Sequence, residues 1–364
     1  MSSSFSLGGY RLVRRADVSR STSILVTGMG LGMAFLAAGL MFVSVGVNPL
    51  AAYGSILQSF TNPVLIGVTI ERATPLLLAA LGLAVAFRLN FWNIGSLGQM
   101  YFGAIAATGL VTLTATTGFP PAFALLPLII VLSFVFGAAF GVIPALLKAK
   151  LGVNEILSTL MLNFIANYFS NYLVFGPWLD PGAHGFPNSR IFPPEALFAH
   201  VPLIGSNSSL VLAIGIAAGV YLIIRRSTFG YELKVTGDSP KASRYSGMSY
   251  TAVVVIAMVI SGGLSGVAGM TYLSGKSGVV TMKADFLGNL GYTAIIVAWL
   301  GGLNPVITVV ASLLFGGLLV SGDTLQINLN LSASTTSVFQ ALVLIFVLVA
   351  ESLKRYAIVR EEKP

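Results

Sequence analysis

Ten separate runs of apolar residues decide what this chain can fold into. They lie at about 22–46, 72–88, 94–117, 122–147, 155–176, 205–225, 250–273, 286–303, 305–321 and 337–353. A helix that crosses the hydrocarbon core of a bilayer needs roughly 20 mostly apolar residues. Backbone polar groups find no water there, so each run must close its hydrogen bonds within a helix. The expected fold is all-α: a polytopic membrane helix bundle of about ten transmembrane helices. Composition agrees, with 9% charged residues and a mean hydropathy of +0.89 over 364 residues. Pairs such as Gly28/Gly32, Gly137/Gly141 and Gly262/Gly266 suit helices whose backbones approach closely. The chain has no cysteine, which excludes disulfides, thiolate metal sites and a cysteine nucleophile.

Charge fixes the orientation. With the first residues inside and ten spans, sixteen of the 20 Lys and Arg residues fall on the inner side. Only Arg72, Arg190, Lys276 and Lys283 fall outside. That asymmetry follows the positive-inside rule and predicts both termini in the cytoplasm. Arg11, Arg14, Arg15 and Arg20 precede an apolar run longer than the core of a secretory signal, so the first helix is expected to stay in the membrane. The organisation expected is a cytoplasmic segment 1–21, a transmembrane domain 22–353 and a cytoplasmic tail 354–364. The domain carries an external Pro-rich loop at 177–204, with a short helix predicted at Pro194–His200, and a cytoplasmic loop at 225–249. Leu50–Asn62 reads as an interfacial helix on the outer side. The net charge of +8 reports topology; no basic stretch interleaved with aromatics suggests nucleic-acid binding.

One apolar run carries a polar ridge: Glu155, Thr159, Asn163, Asn167 and Asn171, spaced i, i+4. Side chains four apart share a helix face, although such a row drifts by roughly 40° per step. Carboxamides cannot point at lipid without partners. Two readings fit: the amides line a polar route, or they join helices. Asn93, Ser96 and Gln99, in the polar break WNIGSLGQ at 92–99, pose the same choice between lining a route and capping helix ends. In the cytoplasmic loop, Asp238 or Ser239 can cap a short helix, Pro240 suits its first turn and Gly247 ends it. That helix is either a solvated connector or a docking element.

Familiar catalytic patterns are missing. Gly275-Lys276-Ser277 lacks the upstream glycine of a phosphate loop, where Met270 stands. Ser265 lies among small residues that suit packing better than nucleophilic attack. His184 and His200 show no ligand spacing. Glu71, Glu155 and Glu351 lie near span ends, leaving no obvious ion-coupling carboxylate near the midplane.

These pieces together resemble the integral membrane permeases of bacterial ABC importers, in the branch that handles nucleosides, ribose-like sugars and branched-chain amino acids. The resembling blocks are 73–99, 152–166, 235–248, 261–270 and 291–305, with SGDTLQ at 321–326. NIG-x-x-GQ at 93–99 and NE-I-x-x-x-MLN at 154–163 look most like nucleoside permeases. The resemblance implies a type II ABC importer-like bundle in the bacterial cytoplasmic (inner) membrane. This chain would be no enzyme and bind no cofactor, with ATP and Mg held by a separate ATP-binding cassette ATPase. It also implies a second permease subunit, homologous or identical, an extracytoplasmic solute-binding protein and surrounding lipid. Residues 238–247 would form the helix that meets the ATPase, with Asp238, Pro240, Lys241, Arg244 and Tyr245 as coupling residues. The expected substrate pathway is Asn163 and Asn167, with Asn93 and Gln99 beside them. The solute would be a nucleoside; a simple sugar is the alternative, with an ion-coupled carrier or channel further off. Two positions depart from the nucleoside pattern: Leu97 stands where a glutamate is common, and Gly302 where a basic residue is.

Overall fold

The computed structural model describes residues 6–7, 10–14, 20–183, 185–202, 205–275, 280–354 and 356–360. Two strands, β1 (Ser6–Leu7) and β2 (Tyr10–Arg14), precede α1 (Arg20–Ser44), α2 (Pro49–Thr61), α3 (Pro63–Arg88), α4 (Ser96–Thr117), α5 (Ala122–Leu151) and α6 (Glu155–Phe175). A ribbon, β3 (His200–Val201) and β4 (Ser206–Asn207), leads into α7 (Ser209–Arg226), α8 (Thr228–Asp238) and α9 (Pro240–Tyr245). Then come α10 (Tyr250–Ser274), α11 (Leu290–Leu300), α12 (Pro305–Leu329), α13 (Ala333–Lys354) and β5 (Tyr356–Arg360). Each of the ten apolar runs holds a helix. Among the described residues, by length and composition seven of these can cross a membrane: α3, α4, α5, α7, α10, α12 and the 333–350 part of α13. Two shorter apolar stretches lie at Gly28–Ser44 in α1 and at α11. Helix α6 has 21 residues, about 31 Å of rise, and its polar ridge lowers its hydropathy.

The chain divides into two compact units, residues 1–59 with 321–364, and residues 60–320. In the first, α1 lies antiparallel to α13: Gly30 seats against Ala350, and the Phe42 and Phe339 rings are 5.7 Å apart. Antiparallel pairing of β2 with β5, Tyr10 opposite Arg360, brings the two chain ends together. Tyr53 of α2 donates to Phe35 O at 2.5 Å. The stretch expected to be an interfacial helix forms α2, with Leu50 and Leu57 exposed.

In the second unit α10 packs against α3, α4 and α5. Glycine inside a helix costs about 1 kcal/mol relative to alanine, and here close approach offsets it. A Cβ at Gly266 would overlap Ser133 O of α5, one at Gly269 would overlap Met100 O of α4, and one at Gly82 of α3 would overlap Ser261 O.

The structure corrects several sequence expectations. The helix predicted at Pro194–His200 is only a 3-10 turn at Pro194–Ala196, because His200 and Val201 leave it to pair with Asn207 and Ser206. The loop after α7 holds two helices rather than one, since Ser227 caps α8 through Gly230 N. Helix α3 starts at Pro63, with Asn62 accepting from Val64 N. Glu71 and Arg72 therefore sit on its third turn rather than at its start. The terminal sheet adds a little β structure to the helical bundle. Among the described residues no group of His, Asp and Glu is placed to hold a metal ion. His184 and the Lys276-Ser277 pair fall outside the described residues.

Candidate translocation site

The polar turn before α4 is where the predicted amides meet. An α-helix leaves its first N–H groups without intrahelical partners, and here side chains from two directions supply them. Asn93 Oδ1 accepts from Gly95 N at 3.0 Å, and Asn163 Oδ1 of α6 accepts from Gly98 N at 2.7 Å. Thr159 Oγ1 accepts from Ile94 N at 3.2 Å, and Asn163 Nδ2 returns a bond to Ile94 O at 2.9 Å. Asn93 Nδ2 donates to Gln99 Oε1 and to Ser261 Oγ of α10, both at 3.0 Å. Ser96 and Ser265 share a 2.9 Å hydroxyl bond. Asn93, Ser96, Gln99, Thr159 and Asn163 are all buried. The glycines of the NIG-x-x-GQ block make this possible: Gly95 and Gly98 lie so close to Thr159 and Asn163 that a side chain would crowd them. Asn93 and Gln99 thus spend their amides on each other, with Asn93 also reaching Ser261 and Gly95 N, and Asn163 spends its own on the α4 terminus, which joins α4, α6 and α10.

Asn167, one turn further along α6, differs. It is half-buried, and its Oδ1 is enclosed without a hydrogen-bond partner, as is Ser170 Oγ. The ends of the ridge meet other elements, as the drift of an i+4 row requires. Glu155 pairs with Lys148 of α5 at 2.7 Å. Asn171 Nδ2 donates to Asp285 Oδ1 at 3.1 Å. On the opposite face of α6, Phe164, Ile165, Tyr168 and Tyr172 are exposed. A cavity of about 340 Å³ lies elsewhere, between the α4–α5 turn and residues 191–195, and none of the four predicted amides lines it.

The other predicted residues sit on α8 and α9. Ser239, rather than Asp238, caps α9 through Ala242 N at 3.2 Å; Asp238 closes α8. Gly247 ends the segment at φ +78°, a conformation that favours glycine. Asp238, Pro240, Lys241, Arg244 and Tyr245 are all exposed, Tyr245 at 94%. The segment is held from behind. The Thr236 and Ser243 hydroxyls share a 2.9 Å bond, and the Arg244 guanidinium lies 5.8 Å from the Tyr250 ring centre. Asn90 Nδ2 donates to Gly237 O at 2.7 Å. Asn90 belongs to the turn that carries Asn93, so the exposed helix and the amide cluster share one short connection.

Residues 65–348 match the family described as branched-chain amino acid transport system / permease component. The chain belongs to that family. This permease is 31% identical to the glucose ABC transporter permease protein TsgB13 of Haloferax volcanii, over 89% of this chain and 87% of that one. It is 30% identical to the guanosine ABC transporter permease protein NupP of Bacillus subtilis, over 91% and 94% of the two chains. It is 28% identical to the nucleoside ABC transporter permease protein NupB of Lactococcus lactis, over 91% and 92%.

Both departures from the nucleoside pattern have a local structural setting in this permease. Leu97 is buried with its backbone against Gly291 of α11. Gly302 holds φ +58° in the α11–α12 turn, where a side chain would be strained. Thr159 belongs to the amide cluster although it reads only as a ridge residue, and so does Ser261, which the sequence does not single out. Their hydrogen-bond partners lie 65 and 168 positions away in the chain, so local spacing carries no signal of the contact.

Proposed function

We propose that this chain is the membrane-spanning permease subunit of an ATP-driven importer for nucleosides. The observation that carries this reading is 30% identity to a guanosine permease along nearly the whole length of both chains. The neutral amides fit it, because carboxamides both donate and accept and so suit hydroxyls and heterocyclic nitrogens without trapping them by charge. In this reading Asn167 lines the solute route, while Asn93, Gln99 and Asn163 form a closed network that the solute meets when the helices part. Helices α8 and α9 dock on a separate ATP-binding cassette ATPase that holds ATP and Mg. A second permease subunit completes the pathway, and a solute-binding protein delivers solute outside. Coupling requires that ATP and solute each bind the inward- and outward-facing states of the complex unequally. A simple-sugar importer is the second reading, favoured by the 31% identity to a glucose permease.

Solute-stimulated ATP hydrolysis by the reconstituted complex decides between them. Guanosine and other nucleosides are expected to stimulate, while glucose, ribose and leucine are not; stimulation by glucose alone transfers the assignment to sugars. Arg244→Glu reverses a charge on the exposed helix, and like charges across an interface cost several kcal/mol. The variant is expected to lose ATPase association, read by co-purification, while wild-type association would remove Arg244 from the interface. We also propose a cytoplasmic-membrane location with both ends inside. In an otherwise cysteine-free chain, an impermeant thiol reagent added outside should label exposed Glu195→Cys and not exposed Lys241→Cys. Labelling at 241 would reverse the orientation.

A further inference from the structure

The turn that carries Asn93 rests on the exposed α8–α9 segment as well as on the amides, and it is short. Leu89 N bonds Ala86 O, Asn90 N bonds Phe87 O, and Phe91 N returns to Ala86 O at 3.1 Å. Asn93 N then bonds Phe91 O at 3.0 Å, so only Phe91 and Trp92 separate Asn90 from Asn93. Asn90 holds φ +56°, a left-handed conformation that asparagine visits more readily than most residues. From there its Nδ2 donates to Gly237 O of α8 at 2.7 Å. The two backbones also touch: a Cβ at Gly237 would overlap Arg88 O and press on the Leu89 backbone. Glycine is a poor residue inside a helix, and this seat is what the position gains from it. From the other side the Arg88 guanidinium grips Leu303 O in the α11–α12 turn, with Nη2 at 2.9 Å.

Two routes lead from the docking helices to the amides. One follows the chain from α9 through residues 246–249 into α10. Helix α10 is seated backbone to backbone at Gly262, Gly266 and Gly269, and a close-packed interior resists such displacement. The other crosses from Gly237 to Asn90 and displaces only the turn at the end of α3. Backbone atoms already in contact transmit a push, because packed interiors compress little. A push alone leaves the return stroke undriven; the Asn90–Gly237 bond supplies the pull. Asn93 holds Gln99, Ser261 and Gly95 N. A small shift of the turn therefore misaligns several bonds of the cluster at once, and hydrogen bonds weaken steeply with poor geometry.

We infer that Asn90 and Gly237 form the joint through which movement of α8 and α9 reaches the amide network, with Asn90 as a positioning residue for Asn93. The inference rests on the ATPase docking proposed above and adds the path by which that docking opens the route. The test uses the complete transporter in proteoliposomes, with guanosine and glucose as solutes and moles of solute moved per ATP hydrolysed as the readout. Asn90→Gly suits φ +56° and deletes only the side-chain bond. It should keep ATPase association and hydrolysis and lower the ratio about three-fold or more, the worth of one hydrogen bond. Gly237→Ala favours the helix but forces the seat apart, so it should lower the ratio further. An unchanged ratio in both variants, whether the two rates stay or fall together, overturns the joint and leaves the α9–α10 connection as the route. Hydrogen exchange of the wild-type complex needs no variant. When a non-hydrolysable ATP analogue binds, the amides of 89–95 should change protection together with those of 236–243. A response confined to 236–243 also overturns the joint. Failure of the underlying reading looks different: the wild-type chain itself would then co-purify with no ATPase.

Discussion

Helices α10 and α6 both reach the turn before α4 and both bond to it, yet only α10 is also seated backbone to backbone on its neighbours. Helix α10 is buried along most of its length, and Gly262, Gly266 and Gly269 bring its backbone against α5 and α4. Helix α6 buries Thr159, Asn163, Ala166 and Ser170 and exposes large apolar side chains on its other face. The α10 attachment is backbone packing with two hydroxyl bonds added at Ser261 and Ser265; that of α6 rests mainly on hydrogen bonds. Backbone packing at van der Waals distance has no substitute partner when a helix moves, so it behaves as a frame. Hydrogen bonds can be exchanged for others at a net cost of about 1 kcal/mol each. A solute or water carrying donors and acceptors can therefore replace much of what holds α6, and nothing polar can replace the backbone packing that holds α10. The moving part of such a bundle is expected on the α6 side.

The sharpest way to break this contrast is to crowd the frame. Overpacking an ordinary core costs about 1–3 kcal/mol. Gly266→Leu drives a side chain into the Ser133 carbonyl, backbone that cannot turn aside as a rotamer can. Its cost is expected to exceed that range, read as loss of monodisperse protein after detergent extraction. Gly219→Leu on α7, where no atom lies within 4 Å, is the control and should extract normally. Equal behaviour of the two would show that α10 is not the frame.

A smaller effect is expected at Asn163. Replacing it by leucine leaves Gly98 N–H and Ile94 C=O without the partners they have now. Each buried group left unpaired costs about 1–3 kcal/mol, so Asn163→Leu should lower the melting temperature of the extracted protein as well as transport. The polar ridge alone suggests a variant that moves transport only; the bonds to the α4 terminus are why stability should move too. A variant with wild-type melting would mean that water or a second chain replaces those bonds.

That revision shows what the residues disclosed and what they withheld. The helices were legible because a bilayer demands long apolar runs: each of the ten runs holds a helix, and seven of those are long and apolar enough among the described residues to cross a membrane. The α9 cap was legible because Ser239, Pro240 and Gly247 act within a few residues of one another. The start of α3 was not, since Glu71 and Arg72 read as the beginning of the 72–88 run, whereas the helix begins at Pro63 behind the Asn62 cap. Helix α8 was missed because TFGYELKVTGD has mixed polarity and its support is a contact with Asn90. The strands at the chain ends were missed because Tyr10–Arg14 has no local reason to be extended; its partner, Tyr356–Arg360, is at the far end of the sequence. Within the amide cluster the residue types were readable from spacing. Their satisfaction was not, because it depends on which helix lies opposite.

The smallest expected change in stability, and the most informative, is at Asn167. Its Oδ1 is enclosed without a partner, so leucine there removes a desolvated acceptor and breaks no bond to that atom. A buried acceptor left unpaired is itself unfavourable by about 1–3 kcal/mol, so Asn167→Leu should melt no lower than the wild type and can melt slightly higher. If α6 is the exchangeable side and Asn167 meets the solute, transport by this variant should nevertheless fall, by about ten-fold for one lost hydrogen bond of roughly 1.4 kcal/mol. Asn163→Leu and Asn167→Leu then separate cleanly: one loses stability and transport together, the other transport alone. If Asn167→Leu both melts and transports as the wild type does, Asn167 faces a neighbouring helix or lipid, and the route does not pass along this face of α6.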